Sequence, residues 1–199
     1  MLSHSFAIAR DEWQWLDENP CSKVSRPKAN PPRKRRVSPA ELAALYAVAG
    51  NADVGKRVVM AFEFCIETAC RGGEALRIAA DDRTESTVHL PVTKNGDART
   101  VPLSHRAREI LDELPGGFGL TDQRKDATFR KLRDKAALPD LNFHDSQHEA
   151  ITRLAKLFDV LDLARITGHR DINELLTYYH ADAAALAAKF TPPPLPLAA

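Results

Sequence analysis

The segment Ser86–Ser104, STVHLPVTKNGDARTVPLS, is where the apolar spacing of this 199-residue chain changes from a helical period to the period of two that is typical of β-strands. Two short β-branched runs flank Asn95-Gly96, a dipeptide that favours a tight hairpin turn. Lys94 precedes this turn, at the expected tip of the hairpin. The segment therefore predicts one small antiparallel sheet.

Helical patterns surround the predicted hairpin on both sides. Upstream, SPAELAALYAVAG opens with a capping box of Ser38 and Glu41 around Pro39 at the first helical position. The next helix, KRVVMAFEFCIETAC, has a predicted buried face of Val58, Val59, Phe62 and Ile66. Downstream, helical periodicity continues to about residue 189. The predicted fold class is α+β, mainly α-helical, with one small antiparallel β-hairpin.

Proline and charge patterns predict four parts of the chain. Residues 1–20 place Phe6, Ala9, Trp13 and Leu16 on one face of a helix that ends near Pro20. One amphipathic helix cannot stay folded alone in water, so we expect it to be the last helix of another domain. Residues 21–37 predict an extended linker, residues 38–190 the main domain, and residues 191–199 a disordered tail.

Composition limits the class of protein. With 44% hydrophobic and 28% charged residues, the chain can bury a substantial core. It has no apolar run of membrane-spanning length and no signal-peptide pattern at its N-terminus, so we expect a cytoplasmic protein without membrane partners. Three cysteines with no CxxC spacing argue against a disulfide framework and against a structural zinc site.

The net charge of +1 hides a basic segment. Between Cys21 and Arg36 there are seven basic residues and no acid: Lys23, Arg26, Lys28, Arg33, Lys34, Arg35 and Arg36. An extended basic arm suits contact with a phosphate backbone, and we expect its cations to have no acidic partners nearby. A strip of Arg124, Arg130, Lys131 and Lys135 is a second candidate. Both segments are also compatible with simple solvation.

The stretch Arg165–His180, RITGHRDINELLTYYH, raises a separate question, because Tyr178 follows His169 by nine residues. On a helix, Tyr178 and Tyr179 point about 100° apart, so only one of them can face a given site. By itself the pattern is equally compatible with one buried tyrosine and one half-exposed neighbour.

Taken together, five separate motifs resemble the tyrosine recombinases, the phage-integrase family. They are TACRGGEAL with Arg71 and Glu74, TKNGDARTVPL with Lys94, FHDSQHEAITRLAK with His144, TGHRD with His169, and TYYH with Tyr178. The family pattern is T-G-x-R-x-x-E, a hairpin lysine before R-x-V-P-L, H-x-L-R-H, and L-G-H followed nine residues later by tyrosine. The resemblance spans roughly residues 10–189 and implies that residues 1–20 are the remnant of an N-terminal core-binding domain.

The resemblance implies a role for each of these residues. Tyr178 is the nucleophile that forms a covalent 3′-phosphotyrosine intermediate, and Tyr179 packs against the body. Arg71 balances the charge of the transition state, and Glu74, one helical turn later, holds its guanidinium. Lys94 protonates the departing 5′ oxygen, while His144 and His169 bind the phosphate and assist proton transfer. No cofactor or metal is expected, since His144 and His148 lack a third ligand at suitable spacing.

One position departs from the family pattern. The second arginine, three residues after the first histidine, is replaced by Gln147, which keeps hydrogen-bond donors but loses the charge. Loss of one transition-state donor costs about 10²–10³ in rate. An engineered substitution and a naturally weakened recombinase are both compatible with this residue. Ala69, in place of the glycine of T-G-x-R, is a milder change that we expect to be tolerated.

The leading hypothesis is a site-specific DNA recombinase, an integrase of a prophage or mobile element, with reduced activity. The alternatives are a type IB topoisomerase-like enzyme and a catalytically weak DNA-binding regulator. The expected partner is double-stranded DNA at attachment sites, in the nucleoid of a bacterial host. The resemblance implies a homo-tetramer on DNA, and the free chain is compatible with a monomer.

Overall fold

The computed structural model describes residues 2–25, 33, 35–91, 98–179 and 187. The chain divides into two compact units, Met1–Arg33 and Lys34–Ala199. Within the described ranges, no helix is long and apolar enough to cross a membrane. Lys34, Lys94, the predicted Asn95-Gly96 turn, the tail and nearly all of the predicted C-terminal helix lie outside the described residues.

The first unit contains helix α1, Leu2–Asp11. The prediction of a helix ending near Pro20 is wrong, because the backbone turns back after Asp11 and Gln14 adopts a left-handed φ of 54°. The Asn19 side chain then donates to the Ser3 carbonyl over 2.8 Å. Of the predicted apolar face, only Ala9 is buried.

In the second unit, the described residues form eight α-helices and two strands. Their bounds are α2 Pro39–Ala49, α3 Asp53–Thr68, α4 Gly72–Ala75, β1 Thr87–Leu90, β2 Arg99–Pro102, α5 His105–Glu113, α6 Asp122–Lys135, α7 Asp145–Leu154, α8 Val160–Thr167 and α9 Asn173–Leu176. The mainly helical class with one small antiparallel sheet is thus confirmed. The predicted capping box of α2 is also present, with Glu41 N donating to the Ser38 hydroxyl.

Helix α3 is the centre of the domain. The four residues predicted as its buried face are buried, but so is every residue from Val58 to Ile66. The reason is that α3 packs against α2, α5, α6 and α7, which together surround it. The charged Glu63 inside this stretch is paired with Arg106 of α5 and accepts a hydrogen bond from Tyr46 of α2.

The two strands pair antiparallel, with Val88 opposite Val101 and Leu90 opposite Arg99. Val88, Leu90 and Val101 are buried in the main core, as alternation predicts for a sheet with one covered face. Strand β2 also packs against α8. The second strand of the hairpin therefore lies against the helix that precedes His169.

Candidate active site

Arg71 lies in the turn between α3 and α4. Ala69, which replaces the family's glycine, is fully buried and adopts a left-handed φ of 57°. That conformation costs an alanine about 1–2 kcal/mol relative to glycine. The chain then extends at Arg71, which caps α4: its backbone N–H donates to Glu74 Oε2 over 2.9 Å. The cap and the left-handed residue together set the direction of the Arg71 side chain.

Glu74 is a buried carboxylate shared by two guanidinium groups. Arg71 Nη1 donates to Oε1 at 3.0 Å, while Arg99 Nη1 and Nη2 bind both oxygens at 3.1 and 2.7 Å. Burial raises the pKa of this carboxyl, but the hydrogen bonds and positive charges outweigh it and hold the pKa below its ordinary value. The predicted pairing of Glu74 with Arg71 is present, and Glu74 is ionised.

Arg99 is a residue to which sequence reasoning gave no role. Besides its two bonds to Glu74, its Nε donates to the Ile166 carbonyl at the end of α8 over 3.0 Å. A Cβ at Gly168 would lie 3.0 Å from Arg99 Nη1, a tight contact that glycine avoids. The arginine of R-x-V-P-L was the available signal, but the pattern does not show where its side chain points.

His169 follows α8 and is mostly buried. Its Nδ1 lies 2.7 Å from the Thr167 hydroxyl, and its Nε2 lies 3.6 Å from Glu174 Oε2. Burial lowers the pKa of His169, and the charges of Arg71 and Arg99 lower it further against the opposing effect of Glu174. The two guanidinium groups therefore lie near this imidazole, which is neutral at pH 7.

Helix α7 carries the next group of predicted residues. His144 is exposed at its N-cap position, Gln147 is buried and His148 is half-buried. Burial lowers the pKa of His148, and the charge of Arg36 adds to that effect. Within the described ranges His148 Nδ1 is buried without a hydrogen-bond partner. Its ring contacts the Tyr178 ring at a centroid distance of 5.2 Å.

The two tyrosines follow α9 and lie in the turn after it instead of on the helix. The Tyr179 hydroxyl donates to the Phe158 carbonyl over 2.9 Å, which confirms that Tyr179 packs against the body. Tyr178 is half-buried, and burial raises the pKa of its phenol. A nucleophilic role for Tyr178 would therefore need positive charge nearby to favour the phenolate.

Two packing contacts bring these segments together. A small core of Ala69, Ala150, Ile151, Leu163 and Leu175, with Tyr178 against it, joins the segments of Arg71, Gln147, His169 and Tyr178. In addition, a Cβ at Gly72 would lie 2.9 Å from the Phe143 ring, so the residues next to Arg71 and His144 touch. Lys94 lies outside the described residues, so its placement relative to this group stays a prediction.

The predicted basic linker differs from expectation at both ends. Lys23 Nζ lies 2.6 Å from Glu18 within the first unit, and residues 20–24 form turns instead of an extended strand. In the second unit Arg35 pairs with Glu41 at 2.6 Å and Asp140 at 3.1 Å. The expectation that these cations have no acidic partners is wrong, because acids just outside the segment, Glu18 and Glu41, and the distant Asp140 pair with them.

Arg36 has the most extensive of these pairs. Its Nε and Nη2 bind the two oxygens of buried Glu149 at 2.6 and 3.0 Å. Glu149 also accepts from Arg153 Nε at 2.7 Å and from the Val37 backbone at 3.1 Å. Burial raises the pKa of Glu149, but these donors outweigh it and lower the pKa to about 2. Arg36 therefore anchors the end of the linker to α7.

The predicted strip on α6 is exposed. Arg124 and Lys131, seven residues apart, lie about 20° from each other around the helix. Neither is paired with a carboxylate in the described part of the chain. Arg130 points to another side and donates to the Asp126 carbonyl at 3.3 Å. Arg124 and Lys131 therefore share one exposed face of α6, while the exposed Arg130 points away from it. Among the described residues, no group of acidic, histidine or cysteine side chains could hold a metal ion.

This arrangement of helices packed around α3, with one small hairpin, is the fold of tyrosine recombinase catalytic domains. A lambda integrase dimer bound to a COC′ core site matches 89% of the chain with a TM-score of 0.68 at 18% identity, covering 69% of that chain. The Tn1549 transposon integrase in complex with circular intermediate DNA matches 94% with a TM-score of 0.66 at 20% identity, covering 75% of that chain.

Two sequence relatives have a higher identity to this chain than these solved structures do. A putative integrase/recombinase of Haemophilus influenzae is 38% identical over 193 residues, which cover 90% of this chain and 64% of that protein. The shufflon-specific DNA recombinase of Escherichia coli is 37% identical over 198 residues, which cover 95% of this chain and 51% of that protein. No protein-family model matches the chain. Fold and relatives agree that the chain is similar to the tyrosine recombinases, and it spans about half to two thirds of these relatives' length.

Proposed function

We propose that this chain cleaves and rejoins DNA at specific sites through a 3′-phosphotyrosine intermediate on Tyr178. The observation that carries the proposal is the small core, because it joins the segments of Arg71, His169 and Tyr178 in one place. The names of the relatives, an integrase/recombinase and a DNA recombinase, support the same activity.

The chemistry follows from the roles that these side chains can take. The Tyr178 phenol oxygen attacks the phosphorus, a P–O bond to the tyrosine forms, and the bond to the 5′ oxygen breaks. The phenol proton passes to water or to a neutral histidine, and the departing 5′ oxygen takes a proton from Lys94. Arg71, held by ionised Glu74, offers fixed positive charge to the non-bridging oxygens. Neutral His169 can donate or accept a hydrogen bond at the same phosphate.

Gln147 supports a second candidate function, a DNA-binding regulator that occupies sites without cutting them. The side chain is buried on α7 beside His148 and carries no charge at the family's second arginine position. The recombinase proposal predicts slow cleavage, about 10²–10³ below a protein with arginine there. The regulator proposal predicts none, even when the arginine is supplied.

Covalent trapping of the intermediate distinguishes the two functions. A nicked DNA substrate that loses its 5′-hydroxyl fragment on cleavage would be incubated with the chain, with Gln147→Arg and with Gln147→Lys. We expect weak covalent adduct with the unaltered chain, about 10²–10³ faster formation with arginine, and less gain with lysine, which lacks the bidentate fork. Gln147→Arg protein that binds DNA but forms no adduct would favour the regulator.

We further propose that α6 contacts the DNA backbone and that the protein assembles as a tetramer on attachment sites in the bacterial nucleoid. Exposed Arg124 and Lys131 support the contact. Replacing either by alanine should reduce the slope of log affinity against log salt by about one unit. Arg36→Ala is the matched control, because its guanidinium is committed to Glu149. An unchanged slope for the two α6 variants would contradict the proposed contact.

A further inference from the structure

Arg99 connects three elements, two of which carry predicted site residues. It lies at the start of β2, opposite Leu90, at the loop end of the paired strands and five residues after Lys94. Its two terminal nitrogens bind Glu74, the carboxylate that also binds Arg71. Its Nε binds the carbonyl of Ile166, three residues before His169. Hydrogen bonds therefore join the loop end of the hairpin to the carboxylate that holds Arg71 and to the end of the helix before His169.

The guanidinium of Arg99 is not available to a DNA phosphate. Its side chain is 9% exposed, and each of its three nitrogens donates to a protein oxygen. Gly168 closes over it with no Cβ, at a φ of 72° that favours glycine. Arg71, in contrast, shares one bond with Glu74 and keeps 23% of its side chain exposed.

From this geometry we propose that Arg99 is a positioning residue that couples the hairpin to Arg71 and His169. The proposal deepens the proposed function, on which it rests, by assigning a role to a residue outside the family's reacting groups. Glu74 provides the shared contact. The two terminal nitrogens of Arg99 bind both carboxylate oxygens of Glu74 and hold that group in one orientation, so the hydrogen bond from Arg71 to Glu74 also has one direction. The bond to Ile166 fixes the end of α8 in the same way.

The charged groups that face His169 make this coupling measurable without any catalysis. They are Arg71 from the turn after α3, Arg99 from β2 and Glu174 from α9. Removing the charge of Arg99 removes one of the two repulsive cations, so the pKa of His169 should rise. NMR titration of the histidine ring in the full chain would record this, with Arg99→Gln and Arg99→Lys compared.

A matched control exists in the same domain. Arg106 makes an equivalent fork to Glu63, with Nε at 3.0 Å and Nη2 at 2.9 Å, but it joins α5 to α3. Arg106→Gln therefore removes a comparable ion pair. We expect it to lower the melting temperature without changing the pKa of His169. This separates a positioning role from a general loss of stability.

The rate of covalent adduct formation then tests whether Arg99 positions the reacting groups. It would be measured at saturating DNA, with every Arg99 variant also carrying Gln147→Arg. A misplacement of about 1 Å can cost about 10²-fold, so Arg99→Gln should slow the covalent step by 10- to 100-fold with little change in DNA affinity. Arg99→Lys should keep the pKa of His169 near its original value yet still lose rate, because one ammonium cannot hold both oxygens and the Ile166 carbonyl.

Each outcome decides one proposal. An unchanged His169 pKa in Arg99→Gln, or an Arg99→Lys protein with full rate, would overturn the coupling. If the Gln147→Arg protein forms no Tyr178 adduct at all, the proposed function fails, while the His169 titration still decides whether Arg99 acts on that imidazole. A raised pKa in Arg99→Gln together with a lost rate in both Arg99 variants supports the proposal.

Discussion

Replacing Glu149 by glutamine is expected to destabilise the domain by about 2 kcal/mol at neutral pH. The carboxylate is buried, accepts bonds from Arg36, Arg153 and the Val37 backbone, and has a pKa of about 2 against an ordinary value of 4.5. A difference of about 2.5 pH units corresponds to about 3 kcal/mol. Because Arg36 and Arg153 are 47% and 41% exposed, solvent screening reduces this to about 2 kcal/mol.

The pH dependence of the unfolding free energy tests whether the ionised carboxylate of Glu149 is the source of this stabilisation. Since the pKa is lower in the folded state than in the unfolded state, the contribution of Glu149 is fully present above about pH 4.5 and is lost as the pH falls towards 2. The difference in unfolding free energy between the unaltered chain and Glu149→Gln should therefore shrink by more than half between pH 7 and pH 3. Urea unfolding followed by circular dichroism at several pH values would measure it.

Glu109→Gln is the control for this experiment. Glu109 also pairs with an arginine, Arg106, but its side chain is 47% exposed on α5. An exposed pair of this kind contributes about 0–1 kcal/mol. If Glu149→Gln loses the same free energy at pH 3 as at pH 7, or no more than Glu109→Gln at pH 7, the charge-based explanation of the linker anchor is refuted.

Three further results are expected. Tyr178→Phe should bind DNA but form no adduct, whereas Tyr179→Phe should still form adduct and lose only about 1 kcal/mol of unfolding free energy with its hydrogen bond. Gly72→Ala should cost about 1–3 kcal/mol in urea unfolding, because its Cβ would lie 2.9 Å from an aromatic ring, while Gly116→Ala, with nothing within 4 Å, meets no such contact. Burial raises the pKa of the Cys70 thiol to about 11, so at pH 7.5 a thiol reagent should label it only on unfolding; labelling in the native state would contradict this.

Local features of the sequence predicted most of the elements of the second unit correctly. The capping box of Ser38 and Glu41 starts α2 because its bonds span only three residues. The change to a period of two predicted β1 and β2, since alternation reports which face of a strand is covered. The nine-residue spacing from His169 to Tyr178 was one of the five short motifs that together carried the family resemblance. Each of these signals is complete within a few residues of the chain.

The first unit shows where local signals fail. The apolar spacing of Phe6, Ala9, Trp13 and Leu16 satisfied a helical period, yet the helix ends at Asp11. Periodicity measures only the compatibility of a segment with a helix. It does not register the Asn19 side chain, which bonds back to Ser3 and favours a compact turn over a longer helix.

The sequence by itself determined the elements, the family and the candidate reacting residues, because these depend on residue type and short spacing. Tertiary structure alone decided which cations are available and which residues hold them. Arg36 meets Glu149 across 113 positions, and Arg99 meets Ile166 across 67. An arginine has the same side chain whether it faces solvent or a buried carboxylate, so its role depends on partners that only the folded chain brings within hydrogen-bond distance.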